Sequence, residues 1–467
     1  MIQALAPVIV GAGPAGIRAA QTLVANGLRP VVVDESANWG GQIYRQPPAH
    51  FVRTKKELYG FESAKAQSVL SAMQGLLPHV DYRPHTLVWN VQGGQLDLLH
   101  QGQTSTLAYS QVIVTSGATD RILPFRGWTL PGVFSLGGAQ VALKFQGCSI
   151  GKKVVFAGSG PLLYLVAYQY AKAGAHVVAL LDSGKLSDQV AAMSDLLAQP
   201  AWLAKGLYYV AWLHAHGVAV HRGAVPLEAK GQDCLESLLW QDDRGVHSLA
   251  CDAVATGYGL RSEAQLADLL DCQFVWNAVQ GAWLPVCDES GRTSVSGVYL
   301  AGDGASVEGA DAAEWSGERA ALTLLSDRAG HATAEHVARS AALSGHITKR
   351  KIFGRGLARA FPDPLNWAAQ TPDDLLVCRC EEVTAGDLRQ TAAEAGVQEI
   401  NRLKALSRVG MGRCQGRMCV CAAAEILAQC TGQSLEKVGR LRAQAPIKPI
   451  PFTTMLKAES VSGKDMA

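Results

Sequence analysis

No apolar run in this sequence reaches the roughly 18–20 residues that a membrane span requires. The longest apolar-leaning stretch, Leu162 to Ala171, is interrupted and suits a buried helix. Neither sign of charge dominates. Against 42 Lys and Arg stand 40 Asp and Glu, a net +2, which leaves no electrostatic case for nucleic acid. Met1 to Pro7 lacks the basic and apolar regions of a secretory signal. Without one, the eleven cysteines read as reduced thiols or metal ligands rather than a disulfide framework. The expected location is the cytoplasm, free or peripheral at the inner face of the membrane.

What the sequence does have is glycine, 48 of 467 residues, and much of it is patterned. Val8-Ile9-Val10 reads as a short buried strand, Gly11-Ala-Gly13-Pro-Ala-Gly16 as a turn, and the following residues to about Asn26 as a helix. Val31-Val32-Val33 is the next strand, ending at Asp34 with Glu35 beside it. This is the unit of a dinucleotide-binding fold. Gly11 permits the tight turn, Gly13 lets backbone approach a pyrophosphate, and Gly16 lets helix and strand pack closely. The helix N-terminus offers N–H groups to phosphates, and Asp34 can accept from ribose hydroxyls.

A second copy starts about 147 residues later, with strand Lys153 to Ala157, turn Gly158-Ser-Gly160-Pro-Leu-Leu163, helix Tyr164 to Ala173, and strand Val177 to Leu181 ending at Asp182. The repeat extends to Val112–Ala118, which carries Gly117, and to Ala253–Gly259; both read as strands ending in small-residue turns. Leu163 replaces the third glycine, which pushes the helix from the strand. Asp182 can still hold a ribose, so three readings stay open for this turn: an NAD(P)H site, a vestigial structural domain, or a site for another nucleotide. His214, His216 and His221 lie in this half and read as ordinary surface or satisfied histidines.

Gly40-Gly41-Gln42 after the second strand and Gly302-Asp303 after strand Val298–Ala301 resemble the FAD site of glutathione-reductase-like flavoproteins. The resemblance implies that Asp303 contacts the ribityl and phosphate portion of the flavin and that Gly41 and Gln42 run near it. The competing reading of Asp303 is a turn carboxylate capping the next segment. A disulfide reductase is not expected, because Cys148 stands alone and Gly41 to Pro48 contains no cysteine. Cys148, Cys234, Cys251, Cys272, Cys287 and Cys430 are expected as small buried core residues.

Cys378-Arg-Cys380 and Cys414-Gln-Gly-Arg-Met-Cys419 are different: two close pairs supply the four sulfurs of a [2Fe–2S] cluster. Gly410, Gly412 and Gly416 allow a loop whose N–H groups face the sulfurs, and Arg379, Arg413 and Arg417 can offset the negative charge. Structural zinc and free thiols are the competing readings, and Cys421 competes with Cys419 as the fourth ligand.

The chain resembles the alpha (A) subunit of the opine oxidase, D-hydroxyproline dehydrogenase and hydrogen cyanide synthase family. The Gly11 turn with Trp39-Gly-Gly-Gln-Ile-Tyr-Arg45, Ala255–Leu260, Leu300–Gly304, and the two cysteine stretches carry the likeness, which covers nearly the whole chain. The resemblance implies an α/β fold of two Rossmann-like domains of glutathione-reductase type and a small helical bacterioferritin-associated-ferredoxin-like [2Fe–2S] module. The corresponding boundaries are 1–115 with 290–330 for the FAD domain, 116–289 for the second, 331–374 for a helical linker, 375–432 for the cluster module, and 433–467 for an extended docking tail.

It further implies FAD, a [2Fe–2S] cluster, and a second nucleotide, NAD(P) or ATP, in the second domain. The partners would be a flavoprotein beta subunit resembling the D-amino-acid oxidases, a small third subunit, and an acceptor such as a quinone or soluble carrier. The function implied is electron relay within an amine or amino-acid dehydrogenase. A self-sufficient NAD(P)H-dependent reductase and a mainly structural subunit with vestigial nucleotide sites are the alternatives.

Overall fold

The computed structural model describes residues 5–453 except 49, 52 and 365. Short valine- and isoleucine-rich runs that alternate with nothing polar must be covered on both faces, and parallel sheets do this. Val298–Leu300, Val112–Val114, Val8–Val10, Val31–Val33 and Asp81–Arg83 form one parallel sheet in that order. Helices Pro14–Ala25, Ser63–Leu76 and Ala310–Ala329 cover it. The chain order reverses between Val8–Val10 and Val112–Val114, and a crevice at such a switch point is where ligands of this architecture bind.

A second parallel sheet has the order Ala219–Arg222, His176–Asp182, Lys153–Ser159, Ala253–Tyr258, Val133–Ser135. The repeat goes deeper than the glycine motifs. Each half carries a three-stranded antiparallel meander inserted before the strand that pairs beside its glycine-turn strand, Thr86 to Ala108 before Val112–Val114 in the first half and Val225 to Lys230 with Ser237 to Ala250 before Ala253–Tyr258 in the second. Ala118–Asp120 and Leu260–Ser262 pair antiparallel as the two crossings between halves. After the second crossing, Leu266, Leu270 and Cys272 pack with Val8, Val31 and Val112 of the first sheet, well before residue 289.

Helix Ala334–Ala360 follows, and the segment read as a linker is packed along much of its length. Trp367 donates to the carbonyl of Pro124 at 3.1 Å, and Trp128 donates to Leu376 at 2.7 Å. Val377, Leu388 and Ile426 of the cysteine module share one buried cluster with Ile122, Phe125 and Val155 of the second half. The module is therefore seated on the second half rather than tethered to it.

The segment expected as an extended docking tail makes contacts within the chain at Ile447 and Lys448. Ile447 is buried against the first sheet, its N–H donates to Trp89 at 3.1 Å, and Lys448 pairs with Glu35. The apolar side chain of Ile447 finds its cover within the chain. Residues 454–467 of that tail lie outside the described residues. Cys148, Cys234 and Cys430 are exposed, contrary to the core expectation, whereas Cys251 and Cys272 are buried and Cys287 is intermediate. Burial of a small thiol is a matter of register, which single residues do not announce.

Candidate functional site

At the first turn, close packing explains the glycines. A side chain on Gly16 would place its Cβ 1.9 Å from the Gly11 carbonyl oxygen, and one on Gly11 would meet the Thr115 carbonyl at 2.5 Å. Thr115 donates its hydroxyl to Val10 and Gly11 at 2.9 Å, tying the end of the neighbouring strand to the turn. Gly13 has room, its nearest neighbour being the Cα of Gly41 at 3.7 Å, and it stays partly exposed. The Gly40 N–H donates to Ala12 at 2.8 Å, so the loop carrying Gly41 and exposed Gln42 lies directly against the turn.

Asp34 accepts from the N–H of Ala12 at 2.6 Å and of Ser36 at 2.7 Å. Burial raises its pKa and these two N–H groups oppose the rise. Each carboxylate oxygen takes one of these bonds and keeps a second lone pair, and the residue as a whole is half-buried. Glu35 is exposed and engaged by Lys448. Gly302 and Asp303 follow strand Val298–Leu300, next to Gly117: a side chain on Gly304 would meet the Gly117 nitrogen at 3.3 Å. One oxygen of Asp303 accepts from Glu308 and Gly309 N–H groups, each at 3.0 Å, as the capping reading expected. Burial raises its pKa against those bonds. The structure thus brings Gly11, Gly13, Gly16, Asp34, Gly41, Gly117, Gly302 and Asp303 to one end of one sheet.

The second turn is built alike and closed. Gly158 and Gly160 are buried, as is Leu163. Asp182 is fully buried, its Oδ2 accepting from the Tyr164 hydroxyl at 2.6 Å and its Oδ1 from the Gly184 N–H at 2.9 Å. Burial pushes its pKa up to about 6, against the pull of the Tyr164 hydrogen bond. Neither oxygen faces a crevice, so the expectation that Asp182 holds a ribose is not met in this arrangement. The hydroxyl of Tyr164 is the reason.

The four cysteines meet. Within the module the thiols form a chain in hydrogen-bond contact, Cys378 with Cys419, Cys419 with Cys414, and Cys414 with Cys380. N–H groups of Gly410, Glu381 and Cys380 face the Cys378 sulfur, and those of Met418 and Gly416 face Cys414. The hydrogen bond from Cys419 and these N–H groups lower Cys378 to about 6 and Cys414 to about 5, while Cys419, donor to both, is raised. Gly412 is required where it stands, because a Cβ there would lie 2.3 Å from that of Cys380. Among the described residues no group of three or more His, Cys, Asp or Glu is arranged to hold a metal ion. The donor chemistry is nonetheless a four-thiol set with amide hydrogens aimed at sulfur, as a cluster site needs.

Cys421 points away, into a cavity of 170 Å³ shared with Arg121, Trp283 and Glu425. Arg417 does not stand free beside the thiols, as its sequence position suggested. It is held by Glu263 at 2.7 and 2.9 Å and by the carbonyl of Ile447 at 2.7 Å. Arg379 and Arg413 are exposed beside the set. No helix among the described residues is long and apolar enough to cross a membrane.

Comparison with known proteins agrees with this layout. Residues 6–317 match the model of the pyridine nucleotide-disulphide oxidoreductase family, and residues 375–459 match the sarcosine oxidase A3 domain. The opine oxidase A subunit of Agrobacterium tumefaciens is 34% identical over 98% of this chain and 94% of that protein. Hydrogen cyanide synthase subunit HcnB of Pseudomonas aeruginosa is 33% identical over 96% of this chain and 98% of its own length. Among solved structures, L-proline dehydrogenase from P. horikoshii superposes with a TM-score of 0.70 at 18% identity, covering 97% of this chain and 79% of that one. The chain is a flavin oxidoreductase that belongs to the family of the opine oxidase A subunit and hydrogen cyanide synthase HcnB.

Proposed function

We propose that this chain is the electron-transfer subunit of a heteromeric amine or amino-acid dehydrogenase of opine or D-hydroxyproline type. It works beside a flavoprotein beta subunit resembling the D-amino-acid oxidases, and its acceptor is a quinone or soluble carrier. The observation that carries the reading is the four-thiol set of Cys378, Cys380, Cys414 and Cys419 with amide hydrogens facing its sulfurs, fused to an open dinucleotide turn. FAD supplies two-electron exchange with single-electron release, and a [2Fe–2S] centre carries one electron at a time.

The residues of this chain do the holding. The N-terminus of helix Pro14–Ala25, opened by Gly11 and Gly13, receives the pyrophosphate. Asp34 accepts from ribose hydroxyls, its orientation fixed by Ala12 and Ser36. Asp303 holds the 308–309 turn and thereby the start of helix Ala310–Ala329 beside the nucleotide. Cys378, Cys380, Cys414 and Cys419 would supply the thiolates that metal ligation requires. The closed second turn gives a pyridine nucleotide no comparable place, so reduction comes from the partner subunit rather than from NADH.

The test is an anaerobic visible spectrum of the full chain purified with its partner, with iron, acid-labile sulfide and zinc assays, before and after NADH. Flavin with about two irons per chain, unreduced by NADH, is the expected result. Bleaching by NADH would move the assignment to a self-sufficient reductase, and zinc in place of iron would remove the relay. Cys419→Ser should abolish the iron content while Cys421→Ser retains it.

A further inference from the structure

Lys144 belongs to the second half of the molecule, on a π-helical turn, Ala142–Gln146, that continues helix Leu136–Val141. Its side chain crosses to the first half. Only 3% of the residue is exposed, and its Nζ donates to the carbonyl of Ile43 at 3.2 Å. Ile43 sits in the loop that carries Gly40, Gly41 and Gln42, and Gly41 lies so close to the first turn that a Cβ on it would stand 3.0 Å from the Cα of Gly13. A buried ammonium with a single carbonyl partner is expensive to keep. An apolar residue would fill the same space at lower cost.

The surroundings share this shortage of partners. The hydroxyl of Tyr44, Nε of Arg45 and Oε2 of Glu62 are buried with no hydrogen bond. Glu62, the nearest carboxylate acting on Lys144, is engaged by Lys205 through its other oxygen. Arg45 contacts Gln42 and lies over the Phe145 ring at 5.7 Å. Two cations and a phenol therefore converge beneath the loop that borders the first nucleotide turn, and Glu62 acts on Lys144 without a hydrogen bond or ion pair to it.

We propose that Lys144 is the positioning residue through which the second half fixes the Gly40–Arg45 loop at the first nucleotide turn and places positive charge beside the bound flavin. This rests on the reading that the first turn holds a flavin. Tethering acts through the Ile43 carbonyl, and the charge favours the reduced, more anionic form of the bound group. Burial first and Arg45 second lower the Lys144 pKa to about 8, opposed by Glu62. Tyr44 in the same loop and Tyr59, whose hydroxyl donates to the Arg45 carbonyl at 2.9 Å, are raised by burial and remain neutral. The charge contribution is therefore present below about pH 8 and fades above it.

The experiment compares the full chain with Lys144→Met and Lys144→Arg variants, by hydrogen exchange of loop peptides covering residues 40–46 and by flavin midpoint potential from pH 6.5 to 9.5. Met fits the buried site without a charge and should fold. The expected result is at least tenfold faster loop exchange in Lys144→Met, with a tenfold shift of the flavin equilibrium toward the oxidised form, about 30 mV for a two-electron couple. The shift should shrink as pH rises through about 8 and be smallest at pH 9.5, and Lys144→Arg should recover most of both effects. Unchanged loop exchange together with a potential that moves less than twofold would overturn the proposal. A wild-type chain without flavin would instead sink the flavin reading, and the exchange arm would still decide whether Lys144 tethers the loop.

Discussion

Two glycine-rich turns sit at equivalent places in two sheets of the same build, yet one is open and the other shut. Gly11 and Gly13 are partly exposed, whereas Gly158 and Gly160 are buried. Asp34 is anchored by the N–H groups of Ala12 and Ser36 and is half-buried; Asp182 is fully buried and sealed by the hydroxyl of Tyr164. The lesson is that a carboxylate after the second strand marks a site only when nothing of the protein's own occupies it. A tyrosine one residue after the third-glycine position does occupy it here, supported by Phe361, whose ring lies 6.2 Å from that of Tyr164.

The difference predicts opposite outcomes for matched substitutions. The largest concerns Gly13→Ala, where the backbone tolerates a methyl but the phosphate approach does not. Flavin affinity should fall by roughly a hundredfold, close to 3 kcal/mol, with the melting temperature of the flavin-free chain unchanged. The matched change Gly160→Ala meets a φ of +99° and should cost about 1 kcal/mol of stability while leaving flavin content alone. Equal flavin loss in both would erase the contrast between the turns.

Asp182→Asn sharpens it from the other side. The folded-state pKa of Asp182 lies above its unfolded value, so the folded chain holds its proton more tightly and wild-type stability falls as pH rises from about 4 through 6. The variant lacks this loss. It should therefore be more stable than wild type at pH 7.5 by on the order of 2–3 kcal/mol, with the gain disappearing at pH 4 in thermal melts. A gain independent of pH would mean that the buried carboxylate is not the cause.

Tyr164→Phe should destabilise by about 1–3 kcal/mol, the cost of leaving a buried acceptor unmet, without altering the flavin spectrum. Should the variant acquire measurable NADH binding, Tyr164 would be the gate of a latent site. A smaller effect on the cofactor than that of Gly13→Ala is expected of Asp34→Asn, which keeps one acceptor oxygen for the Ala12 or Ser36 N–H and loses the other, and which should weaken flavin retention by about tenfold, or 1.4 kcal/mol, as read by dialysis.

Much of this was legible without coordinates. Hydrophobic runs ending in Gly-x-Gly, repeated at a fixed separation, specify local strand–turn–helix geometry, because the glycines answer clashes within a few residues of themselves. The four cysteines were legible for a similar reason, since each pair lies within one loop. Their sulfurs nevertheless come together across 33 intervening residues.

What could not be read were contacts made between distant segments. Lys144 reaching Ile43, Arg417 taken by Glu263, and Ile447 covering the first sheet each join elements far apart in the chain. No periodicity or spacing encodes them. The state of the second turn belongs here too, because whether Asp182 is free depends on how Tyr164 is oriented by its packing against Phe361. The sequence by itself determined the duplicated dinucleotide units and the thiol set, which follow from local sterics and donor chemistry. Only the tertiary structure decided which unit stays open, because burial is a property of what the rest of the chain lays over a residue.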